Sequence, residues 1–106
     1  MSDPLDRIFH ALSDPTRRAI LARLMAGPAT VSELAAPLSI AMPTLLAHIA
    51  RLEAAGLLRS GKTGRVRRLR ANPVALGPAR KWIGGRQADW DARAASLARR
   101  ARGGTD

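Results

Sequence analysis

The stretch Thr30-Val-Ser-Glu-Leu-Ala-Ala-Pro-Leu-Ser-Ile-Ala-Met-Pro-Thr-Leu-Leu-Ala-His-Ile-Ala-Arg-Leu-Glu-Ala-Ala-Gly56 holds two helix starts separated by only a few residues. Thr30 and Glu33 are spaced as a capping box, in which hydroxyl and carboxylate each accept a hydrogen bond from a backbone N–H that the helix start leaves unpaired. Leu34 and Leu38 then share one face of a helix about two turns long, with Pro37 straining its end. Ser39 to Met42 makes a short turn, and Pro43 opens a second helix. Its inward stripe is Leu45, Ile49 and Leu52, with Glu53, Ala54 and Ala55 completing it, and Gly56 ends it. Two helices joined by so tight a turn are a helix-turn-helix unit.

Upstream, Leu5, Ile8, Phe9 and Leu12 recur at helical spacing. Asp3 is placed to cap this first helix, and Pro4 suits its first turn. Asp14 and Pro15 repeat the arrangement for a second helix. This one carries Ile20, Leu21, Leu24 and Met25 inward, with Arg17, Arg18 and Arg23 nearer solvent, and Gly27-Pro28 stops it. Downstream the period changes. Leu57–Ser60 and Arg65–Arg70 read as two strands around Gly61-Lys-Thr-Gly64. Val66 and Leu69 are three apart, which implies either an exposed face or a bulge. Asn72-Pro73 breaks the second strand. From about Pro78 a long helix follows, with Trp82, Ile83, Trp90, Ala94 and Leu97 along one side. Gly84-Gly85 within it predicts a kink or a close backbone contact.

The fold expected is therefore mainly α: a winged helix-turn-helix with a two-stranded β-wing and a long C-terminal helix, dimeric. Residues 1–106 form a single domain. The helix-turn-helix covers about 31–56, the wing about 57–71, and the dimerisation helices about 4–13 and 78–101.

The net charge of +10 opposes compaction by self-repulsion and points to a polyanionic partner, nucleic acid before an anionic membrane. The charge is uneven. Between Ala54 and Ala88 there is no acidic residue, but there are Arg59, Lys62, Arg65, Arg67, Arg68, Arg70, Arg80, Lys81 and Arg86. The chain has no cysteine, which removes disulfides, thiol catalysis and thiolate metal sites. No apolar run approaches the roughly 20 residues of a bilayer span, and the N-terminus lacks the pattern of a signal peptide. A cytoplasmic location is expected.

Ala11-Leu-Ser-Asp-Pro-Thr-Arg-Arg-Ala-Ile-Leu21 resembles the second-helix signature of the ArsR family of winged-helix regulators, as does Val31-Ser-Glu-Leu-Ala35. Met42 to Leu57 is similar to that family's recognition helix and its exit into the wing, and Gly64-Arg-Val66 to the wing return. Trp82-Ile83 through Gln87-Ala-Asp-Trp90 resembles a subgroup with a long Trp-bearing C-terminal helix. The resemblance covers about residues 5 to 100. It implies a homodimer made through the first and last helices. The residues expected at that interface are Leu5, Ile8, Phe9, Leu12, Trp82, Ile83, Trp90 and Leu97, since large apolar side chains on terminal helices suit an interface.

A recognition helix enters the major groove by its N-terminal half. Here the residues expected to face double-stranded DNA are Thr44, Ala47, His48 and Arg51, joined by Arg59, Lys62, Arg65 and Arg67 of the wing. Leu46 is assigned to the core, although it and Ala47 also suit a thymine methyl. The first two turns hold no Arg, Lys, Asn or Gln, the side chains that make bidentate base contacts. Direct readout should therefore be modest, with the wing, half-site spacing and DNA shape contributing more.

Metal sensing, common in the family, lacks ligands here. Only His10 and His48 are available, and Asp89 and Asp91 point to different faces of a helix. No cofactor, metal, membrane partner or enzymatic constellation is expected, and Gly61-Lys-Thr-Gly64 lacks the upstream glycine and following helix of a phosphate-binding loop. The effector, if any, is open. The leading expectation is a sequence-specific transcription regulator, a repressor acting as a homodimer on a palindromic operator. The alternatives are a non-specific nucleic-acid or chromosome-binding protein, and a protein-interaction module that has lost DNA binding.

Overall fold

The computed structural model describes residues 3–103. The order of elements is α1 (Pro4–Ala11), α2 (Pro15–Met25), α3 (Val31–Ala35), α4 (Met42–Ala54), β1 (Leu58–Thr63), β2 (Val66–Ala71), a 3-10 turn (Pro73–Leu76) and α5 (Gly77–Gly103). This is a winged helix-turn-helix: mainly α, with a two-stranded wing and a long last helix.

The helix starts follow from local chemistry. The Asp3 carboxylate accepts from the Leu5 N–H at 2.8 Å, and Asp14 from the Arg17 N–H at 3.0 Å. Thr30 and Glu33 form the reciprocal box, at 3.1 and 3.2 Å. Helix α3 is shorter than expected. It stops at Ala35: Ala36 still has helical backbone, at φ −51° and ψ −47°, but Pro37 supplies no N–H to continue the ladder.

Gly56, at φ +76°, follows α4 in the left-handed conformation. The Leu57 N–H reaches Leu52 O at 3.0 Å and the Gly56 N–H reaches Glu53 O at 2.9 Å. These are the two bonds of a Schellman cap, and buried Leu52 and Leu57 supply its apolar contact. Asn72 fastens the same corner: its side chain donates to Gly56 O at 2.9 Å and its N–H to Leu57 O at 2.8 Å. The entry and exit of the wing are thereby tied together.

The wing differs in detail from its expected form. The strands pair antiparallel in an unbroken register from Leu58↔Ala71 to Thr63↔Val66, so there is no bulge. The connection is Gly64-Arg65 alone, and Gly61-Lys62-Thr63 belong to β1. Gly64 takes a φ of +65° while Arg65 does not, the pattern of a type II′ hairpin turn. Val66 is exposed, so Val66 and Leu69 need not share a face. Ala29 exchanges two hydrogen bonds with Leu69, at 3.0 and 2.8 Å, which clips the loop after α2 onto the free edge of β2.

The core joins Ile8, Ile20, Leu21, Leu24, Leu34, Leu45, Ile49, Leu52, Leu57, Leu58 and Leu69. Two assignments in α2 are corrected. Met25 is exposed, and Arg17 is buried at 7% exposure. Helix α5 runs unbroken through Gly84-Gly85, and open space lies within 4 Å of where a Cβ would stand on either glycine. Its 27 residues span roughly 40 Å. Within it only Ala79 is buried, and the described chain is 73 Å long by 27 Å across.

Candidate nucleic-acid interface

Helix α4 lies over α2 and presents its opposite side to solvent. Leu45, Ile49 and Leu52 point inward. Thr44, Ala47 and Arg51 are exposed, as their proposed contact with DNA requires. Two neighbours exchange the places expected of them. Leu46, assigned to the core, is 47% exposed, whereas His48 turns inward. Periodicity explains both. His48 stands three residues after Leu45 and four before Leu52, on the core stripe, and Leu46 stands one residue off it.

His48 faces the buried guanidinium of Arg17. Arg17 Nη1 lies 3.2 Å from His48 Nδ1. Arginine can only donate, so Nδ1 accepts and the ring proton sits on Nε2, which is 3.9 Å from Asp14 Oδ2. Arg17 also donates from Nε to Ala11 O at 2.7 Å and from Nη2 to His10 O at 3.1 Å. These are carbonyls of the last turn of α1, the negative end of that helix. One side chain thus joins α1, α2 and α4. The Asp14 carboxyl is held below the ordinary carboxylate range, chiefly by the Arg17 backbone N–H that it caps.

The register assigns the faces of the wing. Directly opposite residues share a face, and successive residues alternate. Leu58, Ser60 and Leu69 lie on the core side, with Lys62↔Arg67 on the same side nearer the tip. Arg59↔Arg70, Arg68 opposite Gly61, and Thr63↔Val66 occupy the outer side, and Arg65 sits in the turn. The four expected wing contacts are therefore divided: Lys62 and Arg67 on one face, Arg59 on the other, and Arg65 at the tip. Two pairs of like charge stand directly across from one another, Arg59 with Arg70 and Lys62 with Arg67. Such pairs are destabilising in the free protein. Arg68 lies 4.0 Å from Glu33, which also meets Arg23 at 3.9 Å. Hydrogen bonds from Thr30 chiefly, with both arginines adding to them, hold the Glu33 carboxyl below its ordinary range.

The residues expected at a dimer interface divide as well. Ile8 is 3% exposed and belongs to the protomer's own core, so it is not available to a partner. Leu5 and Leu12 are half-buried. Phe9 meets Trp82 edge-to-face, with ring centroids 5.9 Å apart, and the Arg86 guanidinium lies 5.7 Å from the centre of the Trp82 ring. Ile83, Trp90 and Leu97 are spaced seven apart on one continuous helix. They form a separate stripe, each more than half exposed.

Among the described residues no three or more His, Cys, Asp or Glu side chains gather at a spacing that could hold a metal ion. Nor, among the described residues, is any helix long and apolar enough to cross a membrane.

The family described as "Helix-turn-helix domain" matches residues 12–61. The chain is 39% identical over 71 residues to the HTH-type transcriptional regulator Rv2034 of Mycobacterium tuberculosis, a match covering 67% of this chain and 66% of that protein. It is 29% identical over 79 residues to the transcriptional repressor SdpR of Bacillus subtilis, covering 74% and 88%. Among solved structures, the ArsR family transcriptional regulator RHA00566 is 45% identical, with a TM-score of 0.77 over 84% of this chain and 98% of that one. An ArsR-like transcriptional regulator from Rhodococcus sp. RHA1 is 35% identical, with a TM-score of 0.76 over 89% of each. The homodimeric winged helix-turn-helix DNA-binding domain Mb0332 of Mycobacterium bovis, 24% identical with a TM-score of 0.64, shares the fold over 81% of this chain and 82% of that one. The chain belongs to the ArsR family of winged helix-turn-helix transcriptional regulators.

Proposed function

We infer that the protein is a homodimeric repressor that binds a palindromic operator. Helix α4 enters the major groove, and Arg59, Lys62, Arg65 and Arg67 hold the phosphate backbone. The observation that carries this reading is the wing. Opposed cations at Arg59↔Arg70 and Lys62↔Arg67 weaken the free hairpin, and a polyanion lying along it removes that repulsion. Thr44, Ala47 and Arg51 are exposed on α4 and lie in the part of a helix-turn-helix that meets DNA. His48 belongs to the scaffold beneath them.

The homodimer is supported by Ile83, Trp90 and Leu97, which no other part of the described chain covers. A groove of about 550 Å³ between α1 and α5, lined by Phe9, Leu12, Ile83 and Gly84, continues that stripe. The resemblance to the Bacillus subtilis repressor supports repression over activation. The protein acts in the cytoplasm, by binding rather than by catalysis.

Selection of bound duplexes from a random pool tests the reading. Two inverted half-sites about one helical turn apart are expected, bound at least about 10³-fold more tightly than random DNA. Affinity should fall steeply between low and moderate salt. A flat salt response, or equal affinity for all sequences, would refute it, the latter in favour of a non-specific nucleic-acid binder.

A further inference from the structure

The first two turns of α4 present Met42, Pro43, Thr44, Leu46 and Ala47 to solvent. Met42 is 46% exposed and Leu46 47%. They stand four residues apart and so form one ridge on the same side of the helix. Large apolar side chains grouped in the open ask for something to cover them.

The surroundings define that occupant. Thr44 carries the one hydrogen-bonding side chain of this surface, so the bidentate pairs that identify guanine and adenine cannot form from it. It has no carboxylate to accept from a cytosine amino group. The carboxylate of α4, Glu53, lies in the last turn and accepts from the Ser60 hydroxyl at 3.1 Å. Arg51 on the same helix and the cations of the wing supply charge that fits a polyanion. In the major groove one base carries an apolar group on its edge, the 5-methyl of thymine.

We propose that Leu46, flanked by Met42 and Ala47, reads thymine through its 5-methyl group, and that this contact is the main direct readout of the recognition helix. The proposal rests on the operator-binding reading above and names the chemistry of its specificity. Leu46 is then a specificity-determining residue that makes no hydrogen bond.

The experiment uses the full-length protein and the duplex enriched from a random pool. Thymine is expected at one or two positions of each half-site. Each is replaced by deoxyuridine, which keeps the pairing edge and the O4 acceptor and loses only the methyl. Affinity should fall roughly fourfold per methyl removed, the equivalent of about 0.8 kcal/mol for one buried CH₂-sized group. Leu46→Ala should bind the thymine and deoxyuridine duplexes equally, while its melting temperature stays at the wild-type value. Specific binding that is indifferent to deoxyuridine overturns the inference and leaves the regulator intact. A Leu46→Ala protein that still discriminates the two duplexes overturns the role of Leu46. A pool with no enriched sequence overturns this inference and the operator reading together.

Discussion

A guanidinium buried under the recognition helix needs partners for its donors, and Arg17 finds them in Ala11 O, His10 O and His48 Nδ1. Replacing it with methionine keeps the bulk and removes every bond. Each polar group left buried without a partner costs about 1–3 kcal/mol, so Arg17→Met should lose about 3 kcal/mol. In a domain of this size that lowers Tm by roughly 10 °C or more, measured at fixed protein concentration because the proposed dimer would also contribute. Arg17→Lys should recover little, since one ammonium cannot copy the planar fork. The carboxylates Asp14 and Glu33 make a second prediction. Their native pKa values are depressed, so their contribution to stability is fully present above the ordinary carboxylate range. It is lost as pH falls through the lowered native values. Denaturation curves of wild type and of Asp14→Asn should differ at neutral pH and converge under strongly acidic conditions. Much of this scale is legible in the sequence. Arg17 stands three, four and seven residues before Ile20, Leu21 and Leu24, on their stripe, and His48 stands on that of Leu45 and Leu52. Polarity alone suggests that both face water. What no local pattern shows is that α1 ends where its carbonyls can receive Arg17.

At the scale of elements, the wing separates stability from function. Arg67→Glu would place a carboxylate opposite Lys62 and turn a repulsive pair into an attractive one, a gain of about 0.2–1 kcal/mol. The same change should weaken DNA binding and reduce the dependence of log affinity on log salt by about one unit per protomer. Thermal melting and a salt titration on one variant should therefore move in opposite senses. A parallel fall in both would show that Arg67 supports the hairpin rather than the complex. The hairpin itself is readable from two apolar-basic runs around a glycine-rich link. Its register is not, because Gly61 and Gly64 both offer a turn. A two-residue loop at either glycine would put Leu58 and Leu69 on the same side; the loop at Gly64 is the one that pairs all six residues of each strand and sets Leu69 opposite Ser60. The pairing of Ala29 with Leu69 leaves no trace in the sequence, since a single residue between Pro28 and Thr30 has no period.

At the scale of the whole molecule, α5 extends far beyond anything among the described residues that could cover it. Trp90→Glu and Ile83→Glu introduce charge at positions 67% and 52% exposed in the protomer, so the fold of each subunit should persist by circular dichroism. Sedimentation at micromolar concentration should shift from dimer to monomer, with operator affinity falling at least tenfold. A variant that stays dimeric would move the interface elsewhere. The sequence shows an apolar last helix, but it places Trp82 and Ile83 on one side. In the structure the two stand about 100° apart on the helix: Trp82 meets Phe9 and Arg86 and is 47% exposed, while Ile83, 52% exposed, lies on the stripe of Trp90 and Leu97.

The Arg17 contacts have a mechanical consequence. In a dimer assembled on α1 and α5, each reading head hangs from the assembly through a guanidinium that grips the end of α1 on one side and His48 of α4 on the other. The pair then behaves as a caliper whose jaws are the two α4 helices. A small tilt of α1 at the axis changes the gap between the jaws, and DNA, whose successive groove openings recur at a fixed interval, accepts one setting. In such a dimer a shift of α1 would reach α4 through Arg17 without touching a base-contacting residue.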